Sequence, residues 1–214
     1  MIAEQLSPNC GPRRDGLRPT LIVIHYTAMR SADAAVARLC DPQAEVSAHY
    51  LIANTGEIIR MVPEDQRAWH AGQGSWCGQD DINSRSIGIE LDNQGNHPFS
   101  EPQIAALEQL LRGIMARWNI PAHGVIGHSD MSPGRKQDPG PHFDWMRLAR
   151  QGLAASVITD TPAQVDEASF ISAARTAGFS ADVPFAVLLE TTRLRSAPWR
   201  SGPLVSADYA LPAA

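Results

Sequence analysis

The chain has 214 residues, 43% of them hydrophobic, enough to bury a full core in one domain with a small appendage. Its formal net charge of −5 argues against nucleic acid as a partner, because phosphate recognition needs a basic face, and gives no reason for adhesion to an anionic membrane. No apolar run approaches the ~18–20 residues needed to span a bilayer.

Three cysteines, Cys10, Cys40 and Cys77, occur without a Cys-x-x-Cys, which argues against a disulfide framework or a thiolate metal site. Residues 1–20 carry Pro8, Pro12, Arg13, Arg14 and Asp15 and no continuous apolar segment, so they do not read as an export signal. Both features point to the cytoplasm.

Along the chain, Leu21 to Ile24 is a β-branched run that reads as a buried strand ending at His25, Tyr26 and Thr27. Ser31 is placed to cap a short helix through about Cys40. The runs 49–53 and 57–62 flank Asn54-Thr55-Gly56, a turn signal, and predict a hairpin. Residues 64–84, rich in glycine and polar side chains, read as a long functional loop. Arg85 to Leu91 predicts a strand with Ile87, Ile89 and Leu91 on one face. Ser100 and Gln103 mark a helix start, followed by Ile104, Leu107, Leu111, Ile114, Met115 and Trp118 at helical spacing and closed by Pro121. A short strand, 124–127, runs into His128. Residues 129–141 read as loop and 143–151 as helix. Residues 156–166 read as a linker, followed by two weak helical patterns over 167–177 and 184–195.

Three residues of metal-ligand type sit where strands give way to loops: His25, His128 and, ten positions later, Asp138. Two neutral imidazoles and a carboxylate suit Zn²⁺, and three protein ligands leave a fourth position open, the pattern of a catalytic site. Glu90 lies in an otherwise apolar strand, where an unpartnered carboxylate is costly. Either a proton-transfer role or a pairing with a buried arginine such as Arg85 explains it. Lys136, two residues before Asp138, has the charge to stabilise an oxyanion, and equally suits a solvated surface. Asp138 before Pro139 also fits a plain turn.

The order and wording of these segments resemble the AmpD-type N-acetylmuramoyl-L-alanine amidases over about residues 18–150. The resemblance is carried by Ile22-Val23-Ile24-His25-Tyr26-Thr27, Ser47-Ala48-His49-Tyr50, Ala68-Trp69-His70-Ala71-Gly72, Asn83 through Leu91, Ile126-Gly127-His128-Ser129-Asp130, and Pro133 through Pro141. It implies an α/β fold, a mixed central sheet flanked by helices, with a small helical C-terminal extension. It implies zinc ligands at His25, His128 and Asp138, a catalytic glutamate at Glu90 and a transition-state lysine at Lys136. The implied substrate is a muropeptide or peptidoglycan, cut between N-acetylmuramic acid and L-alanine, with no nucleic acid or membrane partner. Trp69, His70, Arg85 and Arg135 are the expected substrate contacts, and the 69–83 loop the expected groove wall. The expected division is a catalytic domain over 1–155 and a helical segment over 160–214. That segment reads either as a loose likeness to a peptidoglycan-binding module or as helices packed on the catalytic domain.

Two rivals follow from the same residues. A peptidoglycan recognition protein shares the implied fold and binds without cutting, typically lacking a zinc ligand. His128-Ser129-Asp130 has the His-x-Asp spacing of a non-haem iron site, in which Asp130 rather than Asp138 would bind the metal.

Overall fold

The computed structural model describes residues 2–159 and 162–213. Two short strands, β1 (Ile2–Glu4) and β2 (Cys10–Pro12), precede β3 (Leu21–Tyr26). Helix α1 (Ala32–Cys40) follows, capped by Ser31, whose side chain accepts the Ala34 N–H. Next come β4 (Tyr50–Ile52) and β5 (Ile58–Arg60), an antiparallel hairpin, and then β6 (Gln66–Ala68). Gly56 turns the hairpin at φ +89°, a conformation that glycine adopts without strain. A single helical turn, α2 (Ile82–Arg85), leads directly into β7 (Ser86–Leu91), so Arg85 ends a helix rather than opening a strand.

Helix α3 (Glu101–Trp118) starts where expected, with Ser100 Oγ accepting the Gln103 N–H. Gln103 does not reach back to close a capping box. Its side-chain amide donates instead to the carbonyls of Ile52 and Asp92, tying the helix to the sheet. Strand β8 (Val125–Gly127) then runs into α4 (His128–Met131), and α5 (Trp145–Arg150) follows. The expected linker contains β9 (Val157–Thr159). Residues 160 and 161, also within it, lie outside the described residues. Helices α6 (Glu167–Thr176) and α7 (Phe185–Ser196) lead to β10 (Ala210–Pro212), which pairs antiparallel with β9.

The main sheet is mixed, in the order β1-β5-β4-β7-β3-β8, with β3, β7 and β8 parallel at the functional end. Registered residues on neighbouring strands share a face. One face carries Ile22, Ile24, Ile87, Ile89 and Leu91, packed under Ile104, Leu107, Leu111 and Ile114 of α3. The opposite face is divided. Leu21 and Val23 at the start of β3 are covered by the C-terminal segment, through Phe170, Ala174, Phe179, Leu188 and Leu189. Farther along β3, that same face carries His25, registered opposite Glu90 of β7.

The C-terminal segment therefore completes one face of the sheet. Phe170 is fully buried in this layer, whereas Trp199 is 78% exposed. Truncating a buried aromatic costs both transfer energy and a cavity. Phe170→Ala is expected to lose about 3–5 kcal/mol of stability by urea denaturation, and Trp199→Ala to stay within about 0.5 kcal/mol of the parent.

Candidate active site

His25 is the fifth of the six residues of β3, beyond the stretch paired with β8, and Glu90 of β7 lies beside it in register. His128 opens α4 at the end of β8, and Asp138 approaches from the following loop. The two segments are stapled together by the Ser129 N–H, which donates to the Asp138 carbonyl at 2.9 Å. Three atoms converge. His25 Nδ1 lies 2.9 Å from His128 Nδ1 and 2.8 Å from Asp138 Oδ2, and His128 Nδ1 is 3.0 Å from the same oxygen. All three residues are buried, and among the described residues they form the group able to hold a metal ion.

Proton placement follows from the surrounding partners. Ser86 Oγ–H donates to the Ile82 carbonyl at 2.6 Å, so toward His70 that hydroxyl can only accept. His70 Nε2–H therefore donates to Ser86 at 3.1 Å, leaving His70 Nδ1 as an acceptor. His25 Nε2–H donates to that nitrogen at 3.0 Å, leaving His25 Nδ1 without a proton. Burial, with His128 adding to it, lowers the His25 pKa to about 4, so the ring is neutral at physiological pH. His128 Nε2–H donates to the Ala71 carbonyl at 2.9 Å, so Nδ1 is the nitrogen left to face the cluster. Two bare nitrogens and a carboxylate oxygen within 3.0 Å repel one another unless a cation stands among them. This donor set fits a divalent metal.

Gly88 makes the relay sterically feasible. A Cβ there would stand 2.4 Å from His70 Cγ. Its N–H donates to His49 Nδ1 at 2.9 Å, while His49 Nε2–H donates to the Gln66 carbonyl at 3.1 Å. His49 is thus a neutral strut beneath His70, with its pKa lowered to about 3 by burial first and by Arg13 second.

A groove of about 490 Å³ opens over the cluster. Glu90 and Lys136 both line it, and Glu90 Oε2 is buried with no hydrogen-bond partner. Burial, and then the nearby Asp138 charge, raise the Glu90 pKa to about 8, while Lys136 opposes the shift. Arg85 does not pair with Glu90. Its guanidinium donates to the Asp80 carbonyl, and it lies outside the groove lining. Trp69 lines the groove. His70 does too, but both its ring nitrogens are engaged within the protein. Arg135 lines the groove while donating to the carbonyls of Ala71 and Gln73 and to Ser132 Oγ. The 69–83 loop contributes only Trp69 and His70. Farther along, Trp76 and Ile82 are buried against the C-terminal layer. The opposite wall comes from Thr27, Met29 and, on α1, Ala35, Arg38 and Leu39.

Asp130 does not join the metal cluster. Its Oδ2 accepts the Gly127 N–H at 2.7 Å and pairs with Arg195, which removes the geometric basis of the His-x-Asp iron reading. Sequence reasoning also missed Arg13. Its half-buried guanidinium donates to the carbonyls of Glu64, Asn83, Ser84 and Ser86 and meets His49 Nε2 at 3.2 Å. Burial outweighs the nearby carboxylates and lowers its pKa to about 10.

A family model described as N-acetylmuramoyl-L-alanine amidase matches residues 15–141, more than half of the chain. The chain belongs to the N-acetylmuramoyl-L-alanine amidase family. Among curated family members, it is 42% identical to Escherichia coli N-acetylmuramoyl-L-alanine amidase AmiD over 64% of this chain and 55% of that protein. It is 37% identical to E. coli 1,6-anhydro-N-acetylmuramyl-L-alanine amidase AmpD over 66% of this chain and 87% of that protein. Among solved structures, E. coli AmiD in complex with the substrate anhydro-N-acetylmuramic acid-L-Ala-D-γ-Glu-L-Lys superposes with a TM-score of 0.79 at 32% identity, covering 92% of this chain and 88% of that one. AmpDh3 of Pseudomonas aeruginosa gives 0.82 at 31% identity, covering 92% and 91%.

Replacing Gly88 by alanine displaces His70 and releases the His25 proton from its acceptor. Because partners of metal-bound histidines typically contribute 10–100-fold to affinity, Gly88→Ala is expected to weaken binding of a divalent metal by about that factor in a chelator competition titration.

Proposed function

We propose that this chain is a zinc-dependent amidase that hydrolyses the bond between the lactyl group of N-acetylmuramic acid and L-alanine in muropeptides. The reading is carried by one observation: two unprotonated imidazole nitrogens and a carboxylate oxygen converge beside an unpartnered glutamate in a groove. His25 Nδ1, His128 Nδ1 and Asp138 are the proposed zinc ligands. A zinc ion there supplies Lewis acidity, polarising a carbonyl and lowering the pKa of water.

The chain's own groups divide the remaining work. Glu90 Oε2, free of any partner, would accept a proton from the attacking water once a cation at the cluster offsets the Asp138 charge that helps raise its pKa, and would return it to the departing alanine nitrogen. Lys136 faces the same space and stabilises the negative charge that develops on the carbonyl oxygen. Trp69 and Arg135, on the rim, are proposed to meet the sugar or peptide. His70 is reassigned to setting the His25 tautomer, and Arg85 to bracing its own loop. Recognition without cutting is the weaker reading, because the full ligand set and Glu90 are in place.

The proposed division is a domain over residues 1–155 that carries the site residues and a helical segment over 160–214. Within the described residues, no helix is long and apolar enough to cross a membrane. The three free cysteines suit a reducing compartment, so the cytoplasm is the proposed location, to be checked by fractionation.

The decisive measurement is mass spectrometry of anhydromuropeptides and intact sacculi incubated with the protein, with and without chelator. Peptides beginning at L-alanine should appear only without chelator, and no release in either condition refutes the reading. Glu90→Gln should retain zinc by elemental analysis and lower kcat about 10²–10⁴-fold. Lys136→Met should lower kcat about 10²–10³-fold, with a smaller change in KM.

A further inference from the structure

From the C-terminal segment, Arg195 reaches the acidic residue that holds the strand end before His128. Arg195, in the last turn of α7, is 7% exposed, and its guanidinium pairs with Asp130, itself 1% exposed. The guanidinium also stacks 3.9 Å from the centre of the Trp145 ring and donates to the Val125 carbonyl at 3.4 Å. Asp130 Oδ2, the oxygen held by Arg195, also accepts the Gly127 N–H at 2.7 Å. One guanidinium thus fixes both ends of β8, directly at Val125 and through Asp130 at Gly127. The next residue is His128. Gly127 is further boxed in, since a Cβ there would stand 2.8 Å from Pro139 and 3.3 Å from Trp145, and Pro139 follows Asp138.

We infer that Arg195 is a positioning residue for the metal centre, holding the strand end that aims His128 and thereby making the C-terminal segment part of the catalytic unit. The inference rests on the zinc reading above. Without the guanidinium, Asp130 becomes a buried carboxylate with no counter-charge, and its Oδ1 already lacks a partner. Asp130 must then rotate or draw in water, releasing the Gly127 N–H and the aim of His128.

The test compares Arg195→Met, Arg195→Lys and Arg193→Met in the full chain. Arg193 is an apt control, being equally buried on the same helix but bonded to Asp208, Gly202 and Pro203 within the C-terminal segment. The readouts are zinc affinity by chelator competition, the visible absorption of the cobalt(II)-loaded protein, and kcat against KM on an anhydromuropeptide.

Arg195→Met should weaken zinc binding about 10–100-fold, shift the cobalt spectrum and lower kcat with KM nearly unchanged. Arg195→Lys should recover part of the affinity, because it restores the charge without the fork. Arg193→Met should lower the thermal midpoint and leave zinc affinity and the cobalt spectrum unchanged. If Arg195→Met does not fold, Asp130→Ala, which removes the acceptor of the Gly127 N–H, should still shift the cobalt spectrum. Parental zinc affinity and cobalt spectrum in Arg195→Met, or equal losses in Arg193→Met, overturn the inference while leaving the zinc reading intact. A parent chain that binds neither metal overturns both.

Discussion

The direction of a proton chain governs this site. From His25 Nε2 through His70 and Ser86, each N–H or O–H points away from the cluster and ends on the Ile82 carbonyl, which can only accept. A carbonyl terminus makes the direction irreversible, so His25 is obliged to present a bare Nδ1. A second, shorter chain does the same for His128 through the Ala71 carbonyl. Backbone carbonyls, which the fold cannot protonate, thus determine the state of both imidazoles. The absence of a side chain at Gly88 allows His70 to sit over the sheet between its two partners.

The sheet imposes the second constraint. A strand offers alternate residues to opposite faces, so β3 cannot carry His25 inward without presenting Leu21 and Val23 on that same face. Those apolar side chains need cover, and a helix laid over the whole face would bury the groove. The C-terminal layer resolves the conflict by covering only the first part of β3. Leu21, Val23 and Ile126 are buried beneath it, and His25 and Glu90 remain at the groove.

The residues most legible in the sequence were those whose chemistry conflicts with their surroundings. Glu90 stands out because alternation within 86–91 puts a carboxylate into an apolar strand. His25 and His128 stand out because each follows a strand-like run, Leu21 to Ile24 and Gly124 to Gly127. The α3 start was legible because Ser100 acts locally. What stayed hidden depends on partners distant in sequence. Arg13 looks like surface charge in a Pro-rich N-terminal stretch until residues 64 and 83–86 are folded around it. His70 looks like a groove residue because nothing local reveals that Ser86, 16 positions on, fixes its tautomer. The 64–84 stretch reads as a functional loop from its glycines, whereas one of its aromatics, Trp76, is claimed by Phe179 from the far end of the chain.

Arg13 and Arg195 show why both ends of the chain matter to a centre built from its middle. Each guanidinium donates to a backbone carbonyl where a functional strand begins: half-buried Arg13 at Ser86 of β7, buried Arg195 at Val125 of β8. A planar fork can hold several acceptors in fixed directions at once, which an ammonium on a flexible stem cannot. Neither arrangement is an efficient route to stability, because a desolvated charge recovers little net energy from its partners. What these contacts supply is geometry. Asp138 lies on a loop, and His128 follows a strand of only three residues, so neither inherits rigidity from a long element. A metal centre whose donors must stay aligned to within a few tenths of an ångström needs that rigidity from elsewhere, and here the two terminal segments provide it.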